Sequence, residues 1–284
     1  MPPVTPIVRY LLILNALVFA VVVLPREVMN YPLSIEQVLA MYYPTSASFR
    51  PYQIITHFFM HANIGHIGMN MLGLYFLGPI IETRLGATRF ILLYFLSAMG
   101  SVGLHTGEIW LSIQHYEGLL AAFVADPTLL HLNEFFARID TSQIEDNGTS
   151  VSVLVGNLQN KLAMNTGGPA AIDEANYLMR GYIEYLQKGQ MVGASGAISG
   201  VLAAFAVFFP WQKLQLLFVP VGIPAIYFVS LVFLGDLFLG FADFGFDRIA
   251  HFAHIGGGIT GAILAFIWSK TTTPPWMKRM DKGA

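Results

Sequence analysis

Long apolar runs, separated by short polar stretches, set the pattern of this chain. Runs of about 20 apolar residues are long enough to cross a bilayer as helices, and six are expected, at residues 7–24, 57–80, 88–106, 195–210, 214–234 and 250–269. The fourth is short. The first does not read as a cleavable leader, because it carries one basic residue, Arg9, and Pro25-Arg26-Glu27 lacks the small residues of a cleavage site. After Lys270 too few residues follow for a seventh span.

Residues 107–190 break the pattern. This stretch is polar, with turn signals at Asp126-Pro127, Asp146-Asn147-Gly148 and Gly167-Gly168-Pro169. Between them the apolar spacing is helical. Ile113, Tyr116, Leu119, Leu120 and Phe123 share one face, and Leu178, Tyr182, Tyr185 and Leu186 share another. Two or three amphipathic helices are expected on the outer surface, some lying among lipid headgroups, against the alternative of a solvated spacer. Asn147-Gly148-Thr149 fits the glycosylation pattern, which is common by chance.

Composition supports a membrane protein: 55% of the 284 residues are hydrophobic and 11% charged, against about 25% charged in soluble domains. A net charge of −2 and the lack of a basic stripe argue against nucleic acid. The absence of cysteine excludes disulfides and thiolate metal sites. With six spans, the side holding both termini carries Arg9, Arg84, Arg89, Lys213, Lys270, Lys278, Arg279 and Lys282 against Glu82 and Asp281. On the other side, most basic residues fall in the long loop, so both termini are assigned to the cytoplasm.

Polar groups at membrane depth are functional candidates. Ser195, in Gly193-Ala194-Ser195-Gly196, and His254, in Ala253-His254-Ile255-Gly256-Gly257, suggest a nucleophile and its general base. Ser195 opens a helix, where free N–H groups and the helix dipole can stabilise an oxyanion. Gly193 and Ala194 let the preceding loop descend into the protein, which accounts for the short fourth span. Gly196 and Gly200 match the spacing of Gly257 and Gly261, so the fourth and sixth helices are expected to pack closely. His66 and Asn70, four apart, project from one helical face into the bundle. His57 and His61 form a second such pair, read as structural, or as zinc ligands with His254 in a metal-dependent hydrolase. His251 is read as interfacial.

Together these blocks resemble the rhomboid family of intramembrane serine proteases. The resemblance rests on His57…His61…His66…Asn70, Glu82-Thr83-Arg84-Leu85-Gly86, Gly193-Ala194-Ser195-Gly196, and Ala253-His254-Ile255-Gly256-Gly257 with Gly261. It implies an all-α, six-transmembrane-helix rhomboid-like bundle forming one domain over 1–284, with 107–190 as a helical extracytoplasmic insertion between helices 3 and 4. It implies Ser195 as nucleophile and His254 as base. The Ser195 N–H, His66 and Asn70 would form the oxyanion hole, with His61, Gly193, Gly196, Gly257 and Gly261 in support.

No cofactor is implied. The partners are the bilayer and transmembrane protein substrates, and the expected setting is a bacterial inner membrane. A third, acidic member is not expected: Asp236, Asp243 and Asp247 are assigned to the fifth loop as solvated residues. Two departures stand out. Ser199 replaces an aromatic that in many rhomboids packs on the catalytic imidazole, and Tyr52-Gln53 replaces Trp-Arg, with Phe49-Arg50 close by. A pseudoprotease that binds membrane clients without cleavage is the alternative; a transporter is disfavoured because charged groups are nearly missing from the spans.

Overall fold

The computed structural model describes residues 3–25, 35–215, 221–242 and 250–271. Asp243, Asp247, Arg26, Arg248, Lys278, Arg279, Asp281 and Lys282 lie outside these residues. In chain order the helices are α1 (Pro6–Val18), α2 (Ile35–Leu39), α3 (Gln53–Thr56), α4 (Ile64–Leu85), α5 (Ala87–Ala125), α6 (Leu129–Phe136), α7 (Val151–Ala163), α8 (Gly168–Lys188), α9 (Ser195–Phe208), α10 (Ala225–Ala242) and α11 (His251–Ser269). Two small hairpins pair β1 (Glu145–Asp146) with β2 (Thr149–Ser150), and β3 (Lys213–Gln215) with β4 (Gly222–Pro224). The protein is an integral membrane protein of the helical type. Among the described residues, five helical segments are long and apolar enough to cross a bilayer: Pro6–Val23, which includes a π-helical turn after α1, and α4, α5, α10 and α11.

Three expected spans move. The second begins at Ile64, because Asn63 caps α4 by accepting the His66 N–H at 2.9 Å, while His57–Phe59 form a separate 3₁₀ turn. The third runs on to Ala125 without a break. The fifth begins at Ala225 rather than near 214, because the β3–β4 hairpin takes up the start of that apolar run. At 14 residues, α9 is about 21 Å long, shorter than the roughly 30 Å hydrocarbon core.

One core gathers Val8 and Leu11 of α1, Leu74 and Ile81 of α4, Phe90 and Tyr94 of α5, Val201 and Phe205 of α9, and Ala265 of α11. Helices α5, α9 and α11 meet backbone to backbone. A methyl at Gly257 would collide with the Gly196 carbonyl, one at Gly261 with the Gly200 carbonyl, and one at Gly256 with the Gly100 carbonyl. On the far side of α9, methyls at Gly196 and Gly200 would strike the Ser101 and Ser97 hydroxyls. Without hydrophobic drive between helices in lipid, such close packing is what holds them.

Glu82 explains part of the Glu82-Thr83-Arg84 block. Its buried carboxylate accepts the Ile7 N–H at 3.2 Å, the Val8 N–H at 3.0 Å and the Thr5 hydroxyl. It thereby caps the first turn of α1 from a different helix, where orphan N–H groups and the dipole favour negative charge. Arg84 lies over the Phe208 ring at 5.1 Å and Arg89 over Trp268 at 5.9 Å. The end of α4 thus meets the end of α9, and the start of α5 meets the end of α11. Glu82→Ala is expected to lower stability by about 2–3 kcal/mol, since several bonds to one charged group are lost; thermal unfolding in detergent measures this, and an unchanged midpoint would contradict it.

Residues 107–190 build a second core. Ile113, Leu120 and Phe123 of α5 pack against Leu132 and Phe135 of α6, Val155 and Leu158 of α7, and Leu178, Met179 and Ile183 of α8. Tyr116 and Tyr182 meet at 4.8 Å. The apolar faces are turned on one another rather than left for headgroups. Tyr185 falls off the shared face, 55% exposed. Asn147 and Gly148, both at positive φ, make the turn of the β1–β2 hairpin.

Candidate active site

Ser195 stands at the first position of α9, delivered there by a descending segment. Met191 pairs with Met41 as an isolated bridge, the Gln190 side chain donates to the Tyr42 hydroxyl at 2.6 Å, and the Gly193 N–H donates to the His57 carbonyl at 2.9 Å. Gly193 has φ +118°, a conformation open to glycine. A methyl there would come within 2.7 Å of His66 Cε1 and 2.8 Å of His66 Nε2. Glycine therefore does two jobs: it makes the turn and leaves room for the His66 ring beside Ser195.

The Ser195 Oγ lies 3.0 Å from His254 Nε2. This pairing joins the first turns of two helices, and the contact of Gly196, next to Ser195, with Gly257, one turn below His254, fixes the distance between them. His66 and Asn70 face the same space. The Ala62 N–H donates to His66 Nδ1 at 3.4 Å, which leaves the ring proton on Nε2, the nitrogen nearest Gly193. Asn70 is buried, and its Nδ2 donor has no hydrogen-bond partner.

His57 and His61 pack behind the site. His57 Nδ1 donates to the Gln53 carbonyl at 2.7 Å, and the His61 ring packs edge-on against His66 with centroids 5.2 Å apart. Burial pushes His57 down to about 4, opposed in part by the Gln53 bond. Burial, then the neighbouring His66, pushes His61 down to about 4. Both are neutral at pH 7. An unfolded chain would take up these protons near the ordinary value of 6.5, the folded one only near 4. Their contribution is whole above about pH 6.5 and is lost as pH falls towards 4. The thermal midpoint in detergent should fall progressively over that window; a midpoint that stays flat from pH 7 to 4.5 would contradict it.

Gln53 accounts for one departure in the segment before α4. Its buried amide donates to the carbonyls of Val38 (3.0 Å) and Ser48 (3.1 Å) and accepts the Arg50 N–H (2.9 Å). It pins the loop from within.

The principal correction concerns Asp236. The expected loop residue lies inside α10, is 8% exposed, and accepts from His251 Nδ1 at 2.6 Å and His254 Nδ1 at 3.2 Å. His251, read as interfacial, is buried in this contact. A signal was available: Asp236 is the sole charged residue in the 18-residue helix Ala225–Ala242, and a lone carboxylate at membrane depth is a functional candidate. A span placed at 214–234 stops two residues short of it. Ser97, Gly100 and Ser101, which complete the packing on α5, were also missed; small residues at that spacing were the sign.

Zinc ligation by His57, His61 and His254 is not supported, since these three do not converge. Among the described residues the group with donor atoms close enough for a metal ion is Asp236, His251 and His254, all within 4.8 Å of one another. Their 2.6 and 3.2 Å separations are hydrogen-bond distances.

Comparison with known proteins decides the family. The Rhomboid domain pattern matches residues 48–109 and 152–271. This chain belongs to the rhomboid family. The match reaches back to residue 152, so less of the 107–190 stretch stands outside the family pattern than the motifs alone indicate. Among relatives, the chain is 36% identical over 85 residues (28% of this chain, 24% of the relative) to "RHOMBOID-like protein 12, mitochondrial" of Arabidopsis thaliana. It is 33% identical over 60 residues (21% of this chain, 23% of the relative) to "Rhomboid-like protease 3" of Toxoplasma gondii. The chain thus spans about a quarter of the length of these rhomboid relatives.

Proposed function

We propose that this rhomboid family member is an intramembrane serine endopeptidase that cleaves transmembrane segments near the outer membrane face. The 3.0 Å contact between Ser195 Oγ and His254 Nε2 carries the reading. A nucleophile and base within hydrogen-bond reach, on helices locked by glycine packing, is the geometry that acyl transfer requires. Ser195 Oγ attacks the scissile carbonyl as its proton passes to His254 Nε2. The tetrahedral oxyanion is held by the Ser195 N–H at the start of α9, His66 Nε2–H and Asn70 Nδ2–H. His254 then protonates the leaving amine, and water hydrolyses the acyl-enzyme with His254 again as base. The grouping of His66 Nε2 and Asn70 Nδ2 beside Gly193, two residues before Ser195, favours this over a client-binding pseudoprotease, because a carbonyl oxygen turning oxyanionic is what such paired donors would hold.

In this reading α9 is a sixth, shortened span, both termini are cytoplasmic, and Ser195 opens towards the outer side. The shared end of Arg84, Arg89 and Lys270 supports the orientation. The chain forms one rhomboid-like domain over 1–284, with 107–190 as an extracytoplasmic helical unit inserted in it. Its substrates are membrane proteins whose helices unwind near their outer ends. The setting is a bacterial inner membrane, a choice resting on the compact span plan, while the relatives named above come from a plant and an apicomplexan.

The test is fluorophosphonate labelling of the purified protein together with cleavage of a fluorogenic transmembrane peptide in liposomes, with and without chelator. Labelling at Ser195 and chelator-insensitive cleavage are expected. Labelling without cleavage of any membrane substrate would favour the pseudoprotease, and absence of both would end the reading.

A further inference from the structure

We propose that Asp236 is a positioning residue for His254, completing an acid–imidazole–serine relay across three helices; the proposal rests on the protease reading above. The contacts run in series through both ring nitrogens. Asp236 Oδ1 lies 3.2 Å from His254 Nδ1, and His254 Nε2 lies 3.0 Å from Ser195 Oγ. A carboxylate can only accept, so Nδ1 must carry the ring proton and Nε2 must present its lone pair to the serine hydroxyl. That is the tautomer in which His254 works as a base. Ser199, where an aromatic could have packed on the imidazole, leaves orientation to be supplied by another group.

The surroundings of Asp236 point the same way. Along α10 the buried residues are Ala225, Val229 and Asp236, while Leu231, Leu234, Phe238 and Phe241 are all more than 60% exposed. A helix that turns apolar side chains to lipid and its single charge inward bears a desolvation cost unless the charge is paired. Its partners are two imidazoles one turn apart at the start of α11. His251 makes the shorter bond, 2.6 Å to the same oxygen. That bond ties α10 to α11 near the level of Ser195 and makes no contact with the serine.

The rival reading is a strut: Asp236 bonds His251 to join two helices, and His254 lies near by coincidence. The two differ in kinetics. Wild type, Asp236→Asn, Asp236→Glu, His251→Phe and Ser195→Ala would be reconstituted in liposomes and assayed with the fluorogenic transmembrane peptide and with fluorophosphonate labelling. An Asn amide can donate to Nδ1 and favour the wrong tautomer, as when the acid of a serine triad is replaced. Asp236→Asn is therefore expected to lose about 10²–10⁴-fold in kcat with KM within about twofold, and labelling should slow in parallel. Asp236→Glu should recover at least about tenfold over Asn, and His251→Phe should keep kcat within about tenfold of wild type.

Asp236→Asn with kcat near wild type overturns the proposal. Equal losses in Asp236→Asn and His251→Phe, both with lowered thermal midpoints, make the carboxylate a strut and overturn it as well. So does wild-type activity abolished by chelator and restored by zinc, which would assign Asp236, His251 and His254 to a metal. A wild type that neither labels nor cleaves, or that needs zinc, overturns the protease reading and this one with it; the two variant outcomes leave Ser195 labelling of the wild type intact and strike only Asp236.

Discussion

Ser195→Ala is expected to reduce cleavage of a transmembrane peptide by about 10⁴–10⁶-fold, and His254→Ala by a similar factor. The double variant should be little worse than either single one, because the two groups act as one unit: without the base the hydroxyl is a poor nucleophile, and without the hydroxyl the base has no proton to take. Residual turnover would come from the donors around the oxyanion, the Ser195 N–H, His66 and Asn70. Single-turnover kinetics in liposomes measures all three variants. Multiplicative losses would mean that the 3.0 Å contact is not a working pair, and full activity in Ser195→Ala would remove the nucleophile altogether.

Gly257→Leu should have the second-largest effect. Its side chain would have to occupy the position of the Gly196 carbonyl, on a helix whose other side rests against Ser101. Backbone cannot move aside as a flexible side chain can, so α9 and α11 must part. The stability loss is expected to reach about 3 kcal/mol or more. Gly196 follows Ser195 directly, and Gly257 lies one turn from His254. Parting the helices by about 1 Å would also cost on the order of 10²-fold in activity. Thermal unfolding and the rate of Ser195 labelling report the two effects. Gly103→Ala, on an exposed stretch of α5 with open space at the added methyl, is the control and should be neutral or slightly stabilising. An unchanged midpoint and labelling rate in Gly257→Leu would show that the close glycine packing is not what sets the site.

The placement of the candidate site residues was legible where it is local. Ser195 opening a helix after Gly193, and His66 with Asn70 on one helical face, follow from spacing alone. The repeated four-residue glycine spacing even indicated which two helices meet. Asp236 was misread because an unbroken apolar run does not say where its helix begins. From Leu214 onward the chain is hydrophobic enough to start a span, yet Pro220, Gly222 and Pro224 are poor helix interior residues. The β3–β4 hairpin takes part of the opening stretch, α10 starts at Ala225 and runs to Ala242, and Asp236, expected beyond the span, falls inside it. The unit built by residues 107–190 shows the same limit. Its amphipathic faces follow from periodicity, Tyr185 excepted, but periodicity does not name the partner, and the faces bury one another.

The sequence by itself determined the apolar segments, the small-residue seams and the polar residues placed among them, because hydrophobicity, glycine spacing and helical periodicity are properties of neighbours along the chain. Only the tertiary structure decided what His254 leans on. Asp236 and His254 are 18 residues apart on different helices, and their 3.2 Å contact depends on where α10 starts, how it is rotated and how closely it packs on α11. The start is marked locally by Pro220, Gly222 and Pro224, but the rotation and the closeness are fixed by packing between helices, which no local pattern in the chain encodes.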